Sequence, residues 1–203
     1  MKYFITAIDT NVGKTVFSAI LAKALNYPYW KPIQCGDLDR SDSMKVEEWA
    51  NVEIFPEAYK LKQPMSPHEA ARLSGVEVNL SDIQSPETND LVIEGAGGIM
   101  VPLNYSGELI IDIAKKTNSE IILVIKNYLG SINHSLLSCD YLRSHNMNVK
   151  GIVLMGDENA SSEKIIEKVS GLDILFRVPY GDLNEKFIEE QARKLKEKWD
   201  EIS

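Results

Sequence analysis

The stretch that decides the fold reads Tyr3-Phe4-Ile5-Thr6-Ala7-Ile8, followed directly by Asp9-Thr10-Asn11-Val12-Gly13-Lys14-Thr15. The first part is a continuous apolar run that predicts a buried strand, and apolar side chains recur at helical spacing from about Lys14 to Leu25. A strand, a loop ending in Gly-Lys-Thr and a helix form the context of a phosphate-binding loop. Backbone N–H groups at the start of such a helix face an anion. We therefore predict a nucleotide-binding protein.

The polar residues of this loop have separate expected roles. Lys14 would reach the β and γ phosphates, and the Thr15 hydroxyl can coordinate Mg²⁺. The loop departs from the strict GxxxxGK[ST] pattern because Ile8 stands where its first Gly is expected, and Gly there supplies backbone room and a positive φ. The expected nucleotide contacts in the loop are Asp9, Thr10, Asn11, Val12, Gly13, Lys14, Thr15 and Val16.

Short apolar runs alternate with helical patterns along the rest of the chain. Strands are expected at 29–33, 91–93, 121–125, 151–155 and 174–178, and helices at about 108–117, 132–145, 161–170 and 184–201. Continuous apolar strands are typical of parallel sheets covered on both faces. We therefore expect an α/β fold of the P-loop nucleotide-hydrolase type, with a doubly wound, mainly parallel sheet flanked by helices and ligands at the carboxyl ends of its strands.

Two segments carry weaker signals. Residues 55–88 are rich in Pro and polar residues and are expected to be an irregular excursion over the active-site edge. The final helix is heavily charged and is expected to be mostly a solvated face.

Length and charge restrict the class of protein. A chain of 203 residues fits one domain, here residues 1–203 as a single ATP-binding domain. The net charge of −8 argues against a nucleic-acid or anionic-membrane surface, both of which need a basic field. The only cysteines, Cys35 and Cys139, form no disulfide framework or zinc pattern. No signal peptide is evident and no apolar run approaches the ~20 residues of a membrane span, so a cytoplasmic location is expected.

Two acidic residues are candidates for metal binding. Asp42 lies in Ser41-Asp42-Ser43, and Glu94 ends the run 91–94. Magnesium takes oxygen ligands and needs only a few from the protein. Asp42 could equally be a helix N-terminal residue favoured by the dipole, and both roles are compatible. Glu94 would emerge beside the phosphate loop at the carboxyl edge of the sheet, and the alternative of a strand-end surface charge is disfavoured by the Gly-Ala-Gly-Gly that follows it.

Several ordered blocks resemble the dethiobiotin synthetase family. The matching segments are Thr10–Thr15, Lys31-Pro32-Ile33-Gln34-Cys35-Gly36, Ser41-Asp42, Ser66-Pro67-His68-Glu69-Ala70-Ala71, Glu94-Gly95-Ala96-Gly97-Gly98 with Val101-Pro102-Leu103, and Gly130-Ser131-Ile132-Asn133-His134. The family's phosphate loop carries one extra residue, which accounts for the departure at Ile8. Blocks spread in order over most of the chain are more specific than any single motif.

The resemblance implies a cyclo-ligase that forms C–N bonds in biotin biosynthesis. Its substrates would be 7,8-diaminononanoate, CO₂ or bicarbonate, and ATP, with Mg²⁺ required and with dethiobiotin, ADP and phosphate as products. One amine captures CO₂ as a carbamate, which attacks the γ phosphate, and the second amine closes the ring. The family also implies a homodimer with the diamine site near the subunit interface.

The resemblance assigns roles to single residues. Lys14 and Lys31 would lie between the two reacting anions, and Thr10 would hydrogen-bond the carbamate, which makes these three the catalytic candidates. Thr15, Asp42 and Glu94 would hold the metal. Further nucleotide contacts are expected from Gly97, Met155, Pro179, Tyr180 and Gly181. Further substrate contacts are expected from Cys35, Gly98, Val101, Pro102, Leu103, Gly130, Ser131 and Asn133.

Some of these assignments have simpler alternatives. Lys31 could be a strand-end lysine that extends to solvent. Ser131 could be only a helix cap, and His134 is expected to be structural because the mechanism already has its cations. Nothing in the mechanism needs a thiolate, so Cys35 is expected to be packed or a weak substrate contact.

The chain departs from the family at three positions. Ala7 replaces a common Gly but is small enough to preserve the loop, and Cys35 replaces a common Ser. Met155 stands where an Asn often reads the adenine edge. A thioether can pack on a base but cannot read its donors and acceptors, which predicts relaxed selectivity among nucleoside triphosphates.

Three other functions are alternatives to this one. Amide synthases of cobyrinic or cobyric acid carry a glutamine-hydrolysing domain, for which 203 residues leave no room. A partitioning or membrane-positioning ATPase would have a signature Lys where Asp9 stands and a basic or amphipathic surface element. A degenerate nucleotide-binding subunit is disfavoured by the intact set Lys14, Thr15, Lys31, Asp42 and Glu94.

Overall fold

The computed structural model describes residues 1–202 of the chain. The strands are β1 (Lys2–Ala7), β2 (Tyr29–Trp30), β3 (Ile33–Cys35), β4 (Ile54–Phe55), β5 (Tyr59–Leu61), β6 (Leu91–Glu94), β7 (Glu120–Lys126), β8 (Val149–Met155) and β9 (Ile174–Val178). The helices are α1 (Lys14–Leu25), α2 (Asp42–Ala50), α3 (Pro67–Leu73), α4 (Asp112–Lys116), α5 (Ser131–Ser144), α6 (Ala160–Ser170) and α7 (Glu185–Ile202). Short 3₁₀ turns occupy Leu38–Arg40 and Leu80–Asp82.

The main sheet has seven strands in the order β4-β2-β6-β1-β7-β8-β9, and every pairing is parallel. After β1 the chain fills one side of the sheet through β2, β4 and β6, and then crosses to the other side through β7, β8 and β9. Right-handed crossovers in opposite directions put their helices on opposite faces. Accordingly, α1 contacts α2 and α7, while α5 contacts α6. The doubly wound prediction is confirmed, and β1 lies at the switch point where such folds bind ligands.

The strand predicted over 29–33 is wrong in its extent. It divides into β2, which pairs with β4 and β6, and β3, which pairs with β5 in a separate two-stranded sheet. Pro32 lies at the break, and a proline cannot donate a backbone hydrogen bond to a ladder. The division leaves Lys31 directly after a strand of the main sheet.

The helix predicted over 108–117 is also wrong in its extent, since only Asp112–Lys116 is helical. The residues before it turn back on the segment 101–103: Pro102 and Leu109 form an antiparallel bridge, and the Ile110 N–H donates to the Val101 carbonyl at 2.9 Å. The Asp112 carboxylate accepts from the Leu109 N–H at 2.9 Å, a contact within the turn that precedes the helix. The segment that follows the Glu94 block is thereby fixed in place.

Residues 55–88 contain more regular structure than their composition indicates. They include β5 and α3, and α3 contacts both strands of the small sheet. The His68 N–H donates to the Pro102 carbonyl at 3.3 Å, so this excursion is packed against the segment 101–103.

The last helix is amphipathic and is not mainly a solvated face. Ile188, Ala192, Leu195 and Trp199 are buried, and α7 packs against α1 and α2. The charged residues between them form the exposed face, as the heptad-like spacing of the apolar ones requires. Nowhere in residues 1–202 is a helix both long enough and apolar enough to cross a bilayer.

Candidate active site

The phosphate loop closes without strain at the positions where glycine is missing. The left-handed conformations in this loop belong to Asn11, with φ of 59°, and Gly13, with φ of 105°, and not to Ala7 or Ile8. A Cβ on Gly13 would lie 2.6 Å from the Met155 Cε. Gly13 is therefore required by its backbone conformation, whereas the flexible end of the Met155 side chain could move aside.

Lys14 is held on its own loop. Its side chain is 7% exposed, and the ammonium donates to the Asp9 carbonyl at 3.0 Å. Burial lowers the pKa of Lys14 to about 8, and the nearby carboxylate of Glu94 offsets only part of that effect. A bound phosphate would favour the charged form and raise this pKa again.

Glu94 and Asp42 meet at one ammonium group. The Lys31 Nζ donates to Glu94 Oε1 at 2.9 Å and also pairs with Asp42 Oδ2. The Thr15 hydroxyl donates to the same Glu94 oxygen at 2.9 Å. Thus four residues predicted from separate parts of the sequence converge at the carboxyl ends of β2 and β6, beside the start of α1.

The outer oxygens of these carboxylates have other partners. The Tyr29 hydroxyl donates to Glu94 Oε2 at 2.9 Å, and the Lys45 ammonium lies 3.1 Å from Asp42 Oδ1. The Asp42 N–H donates to Gln34 Oε1 at 3.2 Å. Sequence reasoning missed Tyr29, Gln34 and Lys45, although strand alternation places Tyr29 on the same face as Lys31.

Charge pairing dominates the electrostatics of this cluster. Burial acts to lower the pKa of Lys31, but Glu94 and Asp42 outweigh it and hold that pKa above its usual value. Burial acts to raise the pKa of Asp42, but Lys31 and Lys45 bring it below its usual value. Burial also raises the pKa of Tyr29, which therefore remains a hydrogen-bond donor. Lys31 is thus no solvated strand-end lysine.

The donor set fits a magnesium ion. Two carboxylates and a hydroxyl are hard oxygen donors, and Mg²⁺ typically completes its six ligands with water and phosphate oxygens. No group of three or more His, Cys, Asp or Glu residues in the described chain forms a self-sufficient metal cluster. Such a cluster is not needed by a cation that binds together with a nucleotide. Ser41 caps α2 and Asp42 is its first residue, so the helix-terminal role holds as well.

A cleft of about 370 Å³ opens beside the phosphate loop, a volume suited to a small molecule. It is lined by Ile8, Asp9, Thr10, Gly98, Ile99, Met100, Val101, His134, Leu137 and Ser138. Thr10, Gly98 and Val101 were predicted as substrate contacts, and a Cβ on the predicted Gly97 would lie 3.7 Å from the Thr10 Oγ1. A more open depression of about 460 Å³ lies near Lys2, at the amino end of β1 and away from these groups.

The remaining predicted substrate contacts lie at different depths. Pro102 comes directly after the cleft-lining Val101 in the sequence, whereas Leu103 is fully buried in the core. Gly130 and Asn133 are exposed at the start of α5, and Ser131 is buried with its hydroxyl accepting from the Tyr128 N–H at 3.3 Å. Burial raises the pKa of the Cys35 thiol to about 11, so it is not a thiolate at neutral pH.

One face of α5 lines the cleft in a way that sequence reasoning missed. His134, Leu137 and Ser138 follow helical spacing, which was the available signal. The His134 Nδ1 is 2.7 Å from the Tyr128 hydroxyl, which in turn lies 3.5 Å from Asp9 Oδ2. This contact connects α5 to the phosphate loop.

The expected base contacts lie at the ends of β8 and β9. Met155 is 9% exposed and packs against Gly13, whereas Tyr180 is exposed. The Tyr180 ring covers Gly156 and lies under the Lys126 Nζ, 5.6 Å from the ring centroid. Pro179 and Gly181 flank this tyrosine in an exposed loop.

The fold and this site define a P-loop nucleotide-binding protein. Two solved structures share the fold. The Pyrococcus furiosus cell division ATPase MinD has a TM-score of 0.65 and 12% identity, covering 100% of this chain and 99% of that one. A plasmid partition protein from Borrelia burgdorferi has a TM-score of 0.60 and 14% identity, covering 98% of each chain. At these identities the likeness concerns the fold alone.

The comparison of sequences identifies the family, which the structural likeness does not. A family model described as an AAA domain matches residues 1–186. The ATP-dependent dethiobiotin synthetase BioD of Cytophaga hutchinsonii is 48% identical over 98% of both chains, and that of Christiangramia forsetii is 47% identical over 99% of both. The chain belongs to the ATP-dependent dethiobiotin synthetase family.

Nucleotide binding should be coupled to proton uptake by Lys14. At pH 8 about half of a lysine with this pKa is neutral, so binding of ATP should take up roughly half a proton per site, falling to about 0.1 at pH 7. Isothermal titration calorimetry in buffers of different ionisation enthalpy measures this uptake. In the Lys14→Arg variant, whose cation does not titrate, the uptake at pH 8 should disappear. Equal uptake by both proteins would contradict the assignment.

Proposed function

We propose that residues 1–203 act as a single ATP-binding synthetase domain that carboxylates 7,8-diaminononanoate with CO₂ and closes the ureido ring of dethiobiotin. ATP is consumed and ADP and phosphate are released. The observation that carries the proposal is the convergence of Lys14, Lys31 and the Asp42–Glu94 carboxylates beside the cleft at Thr10. The relatives are named ATP-dependent dethiobiotin synthetases, which supports the use of ATP and the formation of dethiobiotin.

The reaction brings two anions together. One substrate amine takes up CO₂ as a carbamate, and a carbamate oxygen attacks the γ phosphate while ADP leaves. The second amine then attacks the carbonyl carbon, the ring closes and phosphate departs. Cations preorganised in a site of restricted water access stabilise such an approach, and Lys14 and Lys31 are the buried cations available. The hydroxyl of Thr10, at the mouth of the cleft, is suited to hydrogen-bond the carbamate.

Mg²⁺ is the proposed cofactor, held by Thr15, Asp42 and Glu94. When bound, it neutralises phosphate charge and orients the nucleotide. Lys31 contacts both of these carboxylates. Its ammonium therefore lies beside the proposed cation site, where it would offset the negative charge of the reacting anions.

The diamine occupies the cleft in this proposal. Its alkyl chain packs against Val101 and Pro102, and its amines lie toward Thr10 and Lys31. Gly130 and Asn133 are exposed at the start of α5, where the N-terminal end of a helix is suited to attract the distal carboxylate. The enzyme works in the cytoplasm, with no nucleic-acid or membrane partner.

We further propose a homodimer that forms over the exposed apolar side chains near this end of α5. Leu129, Ile132, Leu137 and Met100 are exposed there, and apolar groups clustered on a surface mark interaction sites. In that arrangement the Gly130–Asn133 backbone serves the diamine site across the interface.

Sedimentation velocity tests the dimer with Leu129→Asp. Burying an unpaired carboxylate is costly, so the dissociation constant should rise at least about tenfold. Val76→Asp, at an exposed position after α3, should leave it unchanged. A wild-type chain that sediments as a monomer at micromolar concentration would contradict the dimer.

The reaction is tested by mixing the protein with diaminononanoate, bicarbonate, Mg²⁺ and ATP and following phosphate release. Diamine-dependent release is expected, and Lys31→Gln should lower turnover by about 10²- to 10³-fold while nucleotide still binds. Lys194→Gln on α7 removes an exposed cation and should retain full turnover. Phosphate release that does not depend on the diamine would reject the proposed reaction, and an active Lys31→Gln variant would remove Lys31 from it.

Base selectivity should be low because Met155 offers no hydrogen bond to an adenine edge. We expect kcat/KM values for GTP and CTP within roughly tenfold of the value for ATP, since a site without paired polar groups discriminates weakly. Steady-state turnover with each triphosphate at saturating diamine measures this. A preference for ATP far beyond that range would assign base reading to other groups.

A further inference from the structure

Tyr29 lies in β2, beside the carboxylate cluster of the site. Its side chain is fully buried, and its hydroxyl donates to Glu94 Oε2 at 2.9 Å. The pairing of β2 with β6 sets this contact: Tyr29 lies opposite Val92, which puts Glu94 two residues further along the neighbouring strand, on the same face. The contact therefore joins two adjacent strands at the edge where the phosphate loop begins.

The two oxygens of Glu94 have different partners. Oε1 accepts from both the Thr15 hydroxyl and the Lys31 ammonium, whereas Tyr29 is the donor to Oε2. The terminal torsion of a glutamate is broad and does not by itself select one orientation. A fixed donor on one oxygen selects it, because rotation of the carboxylate would break that hydrogen bond in a buried site.

We propose that Tyr29 is a positioning residue for the divalent-cation site, holding Glu94 so that Oε1 faces Thr15 and Asp42. This inference rests on the proposed function, which assigns Mg²⁺ to those three residues. Hydrogen bonds behind a metal ligand orient it and fix its geometry, and their loss typically lowers metal affinity by 10- to 100-fold. Tyr29 makes no contact of its own with the cation or the substrate in this role.

Tyr29→Phe removes the hydroxyl and retains the ring. We expect Mn²⁺ to bind the ADP complex of this variant about tenfold more weakly than the wild-type complex, measured by electron paramagnetic resonance of free Mn²⁺. Affinity for ADP in the presence of EDTA should stay within about twofold, because the phosphate loop itself is unchanged. A merely structural role would lower the melting temperature without separating these two affinities.

Tyr59→Phe is the matched control. Its hydroxyl also contacts a carboxylate, Asp82 Oδ2 at 3.4 Å, but on the exposed side of the small sheet. Both affinities should equal those of the wild-type protein.

The outcomes separate the two proposals. If wild-type protein binds Mn²⁺ with ADP and Tyr29→Phe binds it equally well, the positioning role is overturned and the metal site stands. A parallel loss of ADP affinity in EDTA also overturns it, because the damage would then extend to the phosphate loop. If the wild-type ADP complex binds no Mn²⁺, the proposed metal site fails, and the role of Tyr29 fails with it.

Discussion

The arrangement of the site depends on one constraint: the buried ammonium of Lys31 must be neutralised where it lies. An isolated charge in a protein interior costs several kcal/mol even after relaxation, so the lysine can be buried only with partners. Glu94 and Asp42 supply them from β6 and α2. Lys31 thus joins α2 to β6, and the Thr15 hydroxyl joins α1 to the same Glu94 oxygen.

The two carboxylates depend on Lys31 just as Lys31 depends on them. Two carboxylates that meet at one sheet edge repel each other unless a cation lies between them. Lys31 lies between them and brings them together, and Lys45 adds charge on the far side of Asp42. The ligand set proposed for Mg²⁺ is thus assembled in advance, and the lysine that assembles it is also the one proposed to meet the reacting anions. Preorganisation of this kind reduces what must be rearranged during the reaction.

Much of this could be predicted from the sequence because the relevant signals are local. The phosphate loop follows from a strand, a Gly-Lys-Thr and a helix, and parallel strands bring Lys31 and Glu94 to the same edge. Tyr29 could not be assigned to Glu94, because that contact depends on the register between β2 and β6, which no local pattern encodes. The helical spacing of His134, Leu137 and Ser138 is visible in the sequence. The part of the molecule that this side of α5 faces depends on tertiary packing and could not be predicted.

The errors in element boundaries have the same origin. Residues 108–110 carry helical spacing, yet they pair in a short hairpin with the segment after the Glu94 block, and that pairing outweighs their helical propensity. Pro32 ends β2 by a local rule that was available, but the destination of β3, a second small sheet with β5, was not. In both places the departure from the local pattern holds a site segment against its neighbour.

Met155 shows how one position can connect packing to selectivity. The resemblance to the family places Met155 where an amide side chain often hydrogen-bonds the adenine base. In this structure its thioether instead packs against Gly13 of the phosphate loop. A side chain buried against the loop backbone contributes shape but no hydrogen-bond pattern. If the proposed low base selectivity holds, the phosphates, which every nucleoside triphosphate shares, would be the part of the ligand that this site recognises most specifically. Since the chemistry takes place at the γ phosphate, weak reading of the base is compatible with a precisely positioned reaction.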